Sequence, residues 1–311
     1  MLKNKYTFKK GIPDEYRILF STRFVTKEIL NYIIENTHSI SIINNNNYVI
    51  TTFLLDNTNI DNDIYNIENR VNFFLKQIKV NRQQLPIKIY WFPTEFKKVL
   101  PTDKKSLDVK EINSACTIHF EKITDSIIVI YRLEEAKKVL FHELIHLFGL
   151  DQGIPSNLEF KIRKQYNLDF MLPCSLEETY AEFMGCLLNI YYISNSNNSN
   201  FSENLAIEQA FSLYQVKKIL NFFNIHNINN LYNLKSDTNL MTYYFLKTAL
   251  LTHPNVNYFF NSLMSNNLIL DNNHLIYFEK YLNNLQNIPK YLKYIHNFII
   301  DEKTMRMTII E

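Results

Sequence analysis

Glycine is scarce in this chain, with four residues in 311. No GxGxxG, P-loop or nucleophile-elbow spacing occurs among them. Cysteine is scarcer still: Cys116, Cys174 and Cys186 are odd in number and fit neither a zinc ribbon nor a disulfide framework. Free thiols in a reducing compartment are the expectation. No apolar run approaches the roughly 20 residues of a membrane-spanning helix. The opening MLKNKYTFKKGIPDEYRILF also lacks the apolar core of a signal peptide. The chain is therefore expected to be intracellular and cytoplasmic, where a sequon such as Asn200-Phe201-Ser202 carries no glycan. Excess charge is lacking as well, since 33 Lys and Arg face 31 Asp and Glu for a net +2. Without a field of one sign, neither nucleic acid nor a membrane surface is an expected partner.

What is present is apolar mass. Apolar residues make up 46% of the chain, with 23 Phe and 20 Tyr, which disordered chains do not carry. A sizeable core is implied. The bias towards Asn, Ile, Lys and Tyr resembles the AT-rich coding of some large DNA viruses and protists.

Residues 17–37 and 62–79 carry helical apolar spacing, the latter at Ile64, Ile67, Val71, Phe74 and Ile78. SISIINNNNYVITTFLL reads as two strands turning at Asn44–Asn47, where Asn tolerates positive φ. IKIYWF (87–92), CTIHF (116–120) and SIIVIYR (126–132) read as further strands. EEAKKVLFHELIHLFG (134–149) is helical, with Glu134 and Glu135 at its positive end and Gly149 placed to end it. A loop containing Pro155 and Pro173 follows. The next helix, 175–193, has Ser175 and Glu178 at capping-box spacing. SNSNNSNFS (194–202) reads as a linker, and 203–223, 239–251 and 274–300 are mostly helical. The expected class is α+β. A mixed sheet with a backing helix and a site-bearing helix precedes a mainly helical C-terminal part. The expected regions are 1–84, 85–193 and 203–311.

His142-Glu143-Leu144-Ile145-His146 is an HExxH motif. Four residues on a helix turn about 400° and rise about 6 Å, so both imidazoles reach one cation from consecutive turns. Neutral imidazole suits zinc. Glu143 sits one residue from the first His, beside the metal and not bound to it. There it can accept a proton from a zinc-bound water and pass it to a leaving amine. The alternative is a helix with two incidental histidines, but two His and a Glu on so apolar a segment are costly without a ligand. A catalytic zinc needs a third protein ligand. Glu177, Glu178 and Glu182 all lie on the next helix, where an acidic first turn is the alternative reading; it suits Glu177 well and Glu182, beyond the first turn, less well.

With these residues in view, the sequence resembles the gluzincin, thermolysin-like zinc peptidases over about residues 85–193. The resemblance implies one Zn2+ held by His142, His146 and Glu178, with Glu182 supporting a zinc-bound His, and Glu143 as catalytic base. It also implies a sheet whose edge strand binds an extended peptide or protein substrate, with 62–79 packed behind. The small polar run Asn113–Thr117 would suit the cleft or be an ordinary strand entry. Metzincins are the rival, since Gly149 and Met171-Leu172-Pro173 fit their pattern. Their third-ligand position is here Gln152, a poor zinc ligand, and Asp151 is out of register. From residue 85 to 311, IYRLEEAKKVLFHELIHLFGLD, EETYAEF, TYYFLKTALL and MRMT are similar to an uncharacterised protein family of nucleocytoplasmic large DNA viruses. A viral chain would act in the host cytoplasm or the virion.

Tyr243 and Tyr244 are candidate oxyanion donors by that resemblance, or else core aromatics. His38, His119, His226, His274 and His296 read as surface or core residues, and His253-Pro254 as a helix end. Three functions follow. One is a zinc metallopeptidase. Another is a non-catalytic, zinc-stabilised binding or virion protein, against which the intact Glu143 argues. The third is hydrolysis of a non-peptide amide.

Overall fold

The computed structural model describes residues 2–7, 12, 16, 19, 23–55, 60–103, 105–295 and 302–311. The chain runs β1 (Leu2–Thr7), α1 (Lys27–Asn36), β2 (Thr37–Asn44), β3 (Tyr48–Leu55), α2 (Asp61–Gln77), β4 (Ile87–Trp91) and α3 (Val109–Ile112). β5 (Ala115–Ile118), β6 (Ile127–Ile130), α4 (Ala136–Leu147), α5 (Ser156–Gln165), α6 (Leu176–Ser196) and α7 (Phe201–Phe222) follow. After a π-helical turn at Met241–Leu246 come α8 (Lys247–Leu251), α9 (Val256–Ser265), α10 (Asn272–Leu282) and α11 (Ile288–Leu292). The chain is α+β, as expected. The start of the helical spacing at residues 17–37 and the end of 274–300, with His296, fall partly or wholly outside the described residues.

Two compact units form, one from Met1–Lys98 with Asn113–Gly149 and one from Val99–Ile112 with Leu150–Glu311. The first holds a six-stranded mixed sheet in the order β1-β2-β3-β4-β6-β5. β3 pairs parallel with β4 and β4 with β6, while the outer pairs are antiparallel. The β3–β4 pair is parallel because α2 carries the chain back between them. Strand alternation divides the side chains between two faces. Ile127, Val129 and Tyr131 join Ile29 and Ile33 of α1, Ile40, Phe53, Phe92 and Cys116 in one apolar cluster. α4 packs against β5, β6 and α2. Because Cys116 belongs to the cluster on α1, its neighbour Thr117 points to the other face of the strand, the one towards α4.

The β2–β3 turn does not use positive φ. Asn45 Oδ1 accepts the backbone N–H groups of Asn47 at 2.8 Å and Tyr48 at 3.0 Å, so the side chain closes the turn. Asparagine takes the left-handed position elsewhere, replacing the missing glycines. Asn167, Asn198, Asn224 and Asn267 have φ of 47°, 50°, 53° and 54°. Each lies just past the cap of α5, α6, α7 or α9. The residue after each returns its N–H to a carbonyl five back, as in Ile225 to Leu220 at 2.8 Å, closing a Schellman turn. Gly149, at φ 63°, ends α4 in the left-handed region as anticipated.

Glu134 and Glu135 act differently from the helix-dipole expectation. Glu135 is the N-cap of α4 at φ 62°, and its carboxylate pairs with the fully buried Lys98 ammonium. Glu134 accepts the Lys98 backbone N–H at 2.7 Å. Both carboxylates thus fasten the segment after β4 to the start of α4. Burial lowers the Lys98 pKa from its ordinary value, and Glu135 opposes that.

The second unit is helical. Residues 150–174 are not all loop: α5 buries Leu158 and Ile162, followed by Tyr166. The spacing of four places these three on one stripe, and Pro155 occupies the N-cap. Residues 194–202 contain the end of α6, a short turn and the start of α7. There Asn200 Oδ1 caps Ser202 N at 2.9 Å and Asn204 donates to Ser194 Oγ at 2.9 Å. All three cysteines are buried, and burial pushes the Cys174 thiol up to about 12. Among the described residues no helix is long and apolar enough to cross a membrane.

Candidate metal centre

α4 sets the first half of the site. His142 and Glu143 are buried and His146 half-buried. The helical spacing brings the two Nε2 atoms to 3.0 Å of each other. Ligands of a tetrahedral zinc at about 2.0–2.1 Å stand roughly 3.3 Å apart, so the pair is close to the separation that one ion requires. Glu143 is held by strand β5. Thr117 Oγ1 donates to Glu143 Oε2 at 2.7 Å and lies 3.2 Å from the Glu143 carbonyl. Thr117 falls within the Asn113–Thr117 run noted for its small polar character, but only the tertiary pairing of β5 with α4 distinguishes it from its neighbours.

α6 sets the second half. Ser175 is its N-cap, and its Oγ accepts the Glu178 backbone N–H at 3.2 Å. Glu178 therefore occupies the third helical position with its side chain in the first turn. Tyr243 donates its hydroxyl to Glu178 Oε2 at 2.8 Å. Tyr244, its neighbour, is buried and donates to the Met305 carbonyl at 2.5 Å.

One ligand atom each from His142, His146 and Glu178 lies within 4.8 Å of the others, a group able to hold a metal ion. Asp151, the out-of-register metzincin alternative, is not in this group, and Gln152 is exposed. Glu182 is buried one turn beyond Glu178, with Lys247 Nζ 4.0 Å from its carboxylate.

Lys247 was not anticipated. Its ammonium also stands 4.0 Å from Glu208 and donates to the Met307 carbonyl. Glu208 further accepts the Thr308 hydroxyl at 2.8 Å and the Ile309 N–H at 3.0 Å. Burial raises the Glu208 pKa and Lys247 opposes the rise. The segment 304–310 is thus tied into the unit through buried polar groups: Gln215 reaches the Arg306 carbonyl at 2.6 Å and Asn189 the Ile310 carbonyl at 2.7 Å. Lys247→Met should lower stability by about 3–5 kcal/mol, because it leaves two buried carboxylates without their cation. Urea unfolding measures it. A loss below about 1 kcal/mol would mean that both carboxylates are neutral in the fold.

The chain is 32% identical over 203 residues to an uncharacterized protein of Acanthamoeba polyphaga mimivirus. The match covers 58% of this chain and 49% of that protein, so the chain spans about half the length of the relative. The likeness supports a viral source and the resemblance to large-DNA-virus proteins. No known family profile and no solved structure matches the chain.

Proposed function

We propose that this chain is a zinc-dependent hydrolase acting on peptide bonds. The observation that carries the reading is the His142, His146 and Glu178 group, on whose first helix Glu143 stands as a further carboxylate. Two imidazoles and one carboxylate are a donor set that zinc takes, and three protein ligands leave a position open for substrate or water. Bound there, zinc supplies a Lewis acid for a carbonyl oxygen and for a water molecule. Glu143 accepts the proton of the attacking water and returns it to the leaving amine. Thr117 holds one oxygen of that carboxylate at 2.7 Å and so fixes the plane in which it accepts. A site that only cross-linked helices would have no use for such a base. A peptide is favoured over other amides because β5, which carries Thr117, is the last strand of the sheet among the described residues. An edge strand offers main-chain groups to an extended chain.

The test is a proteome-derived peptide library incubated with zinc-replete protein. Cleavage that a chelator stops and zinc restores is the expected result. A library left intact at full zinc loading overturns the peptidase reading and favours a non-catalytic zinc protein.

A further inference from the structure

We infer that Tyr243 is a positioning residue for the carboxylate of Glu178, and that the π-helical turn Met241–Leu246 exists to deliver it. The inference rests on the reading of Glu178 as a metal ligand. It goes further by assigning a residue that sets how this ligand binds.

The π turn is an unusual element in its own right. It closes with the Lys247 N–H on the Thr242 carbonyl, five residues back. Such turns cost regular hydrogen-bond geometry and tend to occur where function requires a side chain out of α-helical register. Consecutive residues of an α-helix diverge by about 100°. In a wider turn they fan out less, and here three neighbours bind within one unit. Thr242 Oγ1 donates to the Ser175 carbonyl at 3.1 Å and accepts the Ser175 N–H at 3.2 Å. Tyr243 takes the Glu178 carboxylate at 2.8 Å and Tyr244 the Met305 carbonyl. The turn therefore grips both the N-cap residue of α6 and the side chain three residues later. Backbone and side chain of the helix start are fixed from the same element.

The chemistry follows from the carboxylate's two oxygens. The phenol donates to Oε2, so that oxygen sits in a hydrogen bond and rotation of the carboxylate is restrained. Glu178 is then held to single-oxygen ligation, and the carboxylate cannot swing to fill a fourth position with its second oxygen. Ligands oriented in advance bind metal more tightly, and removing the partner that orients one typically costs 10–100-fold in metal affinity. Tyr243 is mostly buried, at 6% exposure, so water replaces the lost bond poorly.

The experiment compares zinc Kd, by competition with a chelator of known affinity, for wild type, Tyr243→Phe, Glu178→Ala and the double variant. Phe keeps the ring and removes only the donor. Tyr243→Phe should weaken zinc binding about 10–100-fold. In the Glu178→Ala background the same change should cost nothing more, because Tyr243 acts through Glu178. X-ray absorption at the zinc edge should show a second carboxylate oxygen approaching the metal in Tyr243→Phe alone. If Glu178→Ala loses affinity while Tyr243→Phe stays within about twofold of wild type, well short of that cost, the positioning role is overturned and the ligand reading stands. If Tyr243→Phe weakens binding equally in both backgrounds, Tyr243 acts on the fold and not on Glu178, and the inference also fails. If Glu178→Ala binds zinc as wild type does, the ligand reading itself falls and takes this inference with it.

Discussion

Glu143→Gln should leave one zinc bound and stability near wild type, while hydrolysis of a susceptible peptide falls by roughly 10²–10⁴. The substitution keeps the size and shape of the side chain and removes its basicity. The Thr117 hydroxyl, 2.7 Å from Oε2, can donate to an amide oxygen as well as to a carboxylate, so the local fold loses little. What is lost is the acceptor for the water's proton. Because Glu143 is not one of the grouped ligand atoms, metal content should not follow activity. Elemental analysis of the two proteins, beside a time course on one cleaved peptide, separates the roles. Zinc lost together with activity would make Glu143 a structural or ligating residue. Unchanged cleavage would remove it from the reaction.

The regular elements were legible in the sequence where one physical signal dominated. α2 spans 61–77 on a stripe of Ile64, Ile67, Val71 and Phe74. β4 and β6 lie within IKIYWF and SIIVIYR, whose apolar content matches strands buried inside a sheet. α5 was hidden because Pro155 and the polar neighbours of Leu158 and Ile162 read as loop. The π turn is invisible to any search for a 3.6-residue period. The Asn44–Asn47 turn was placed correctly for a different reason from the one operating, since an Asx side chain closes it. At the site, His142, Glu143 and His146 are legible because their spacing is covalent. Glu178 was reached only through resemblance. Tyr243 stood out only as a candidate oxyanion donor, whereas its hydroxyl lies on Glu178; Thr117 and Lys247 are ordinary residues until tertiary contacts place a hydroxyl or ammonium on a carboxylate far along the chain. Sequence showed which helices carry charge where burial is costly, and the fold shows what satisfies it.

Replacing either imidazole should remove the metal. His142→Ala and His146→Ala each reduce the donor set from three to two, and the remaining imidazole and carboxylate cannot define a tetrahedral site by themselves. The expected result is one zinc per wild-type chain and essentially none per variant after dialysis against dilute zinc. That loss exceeds the 10–100-fold expected when only an orienting partner is removed. The two substitutions differ in one respect. His142 is buried, at 6% exposure, and His146 is half-buried, so His142→Ala leaves a cavity in the core around α4. Its metal-free form should melt lower than metal-free wild type, while metal-free His146→Ala should melt close to it. Metal binding stabilises only a fold that can hold it. Added zinc should therefore raise the melting temperature of wild type and of neither variant. Zinc-dependent stabilisation that survives in both variants would place the metal elsewhere in the chain and dissolve the assignment of the His pair.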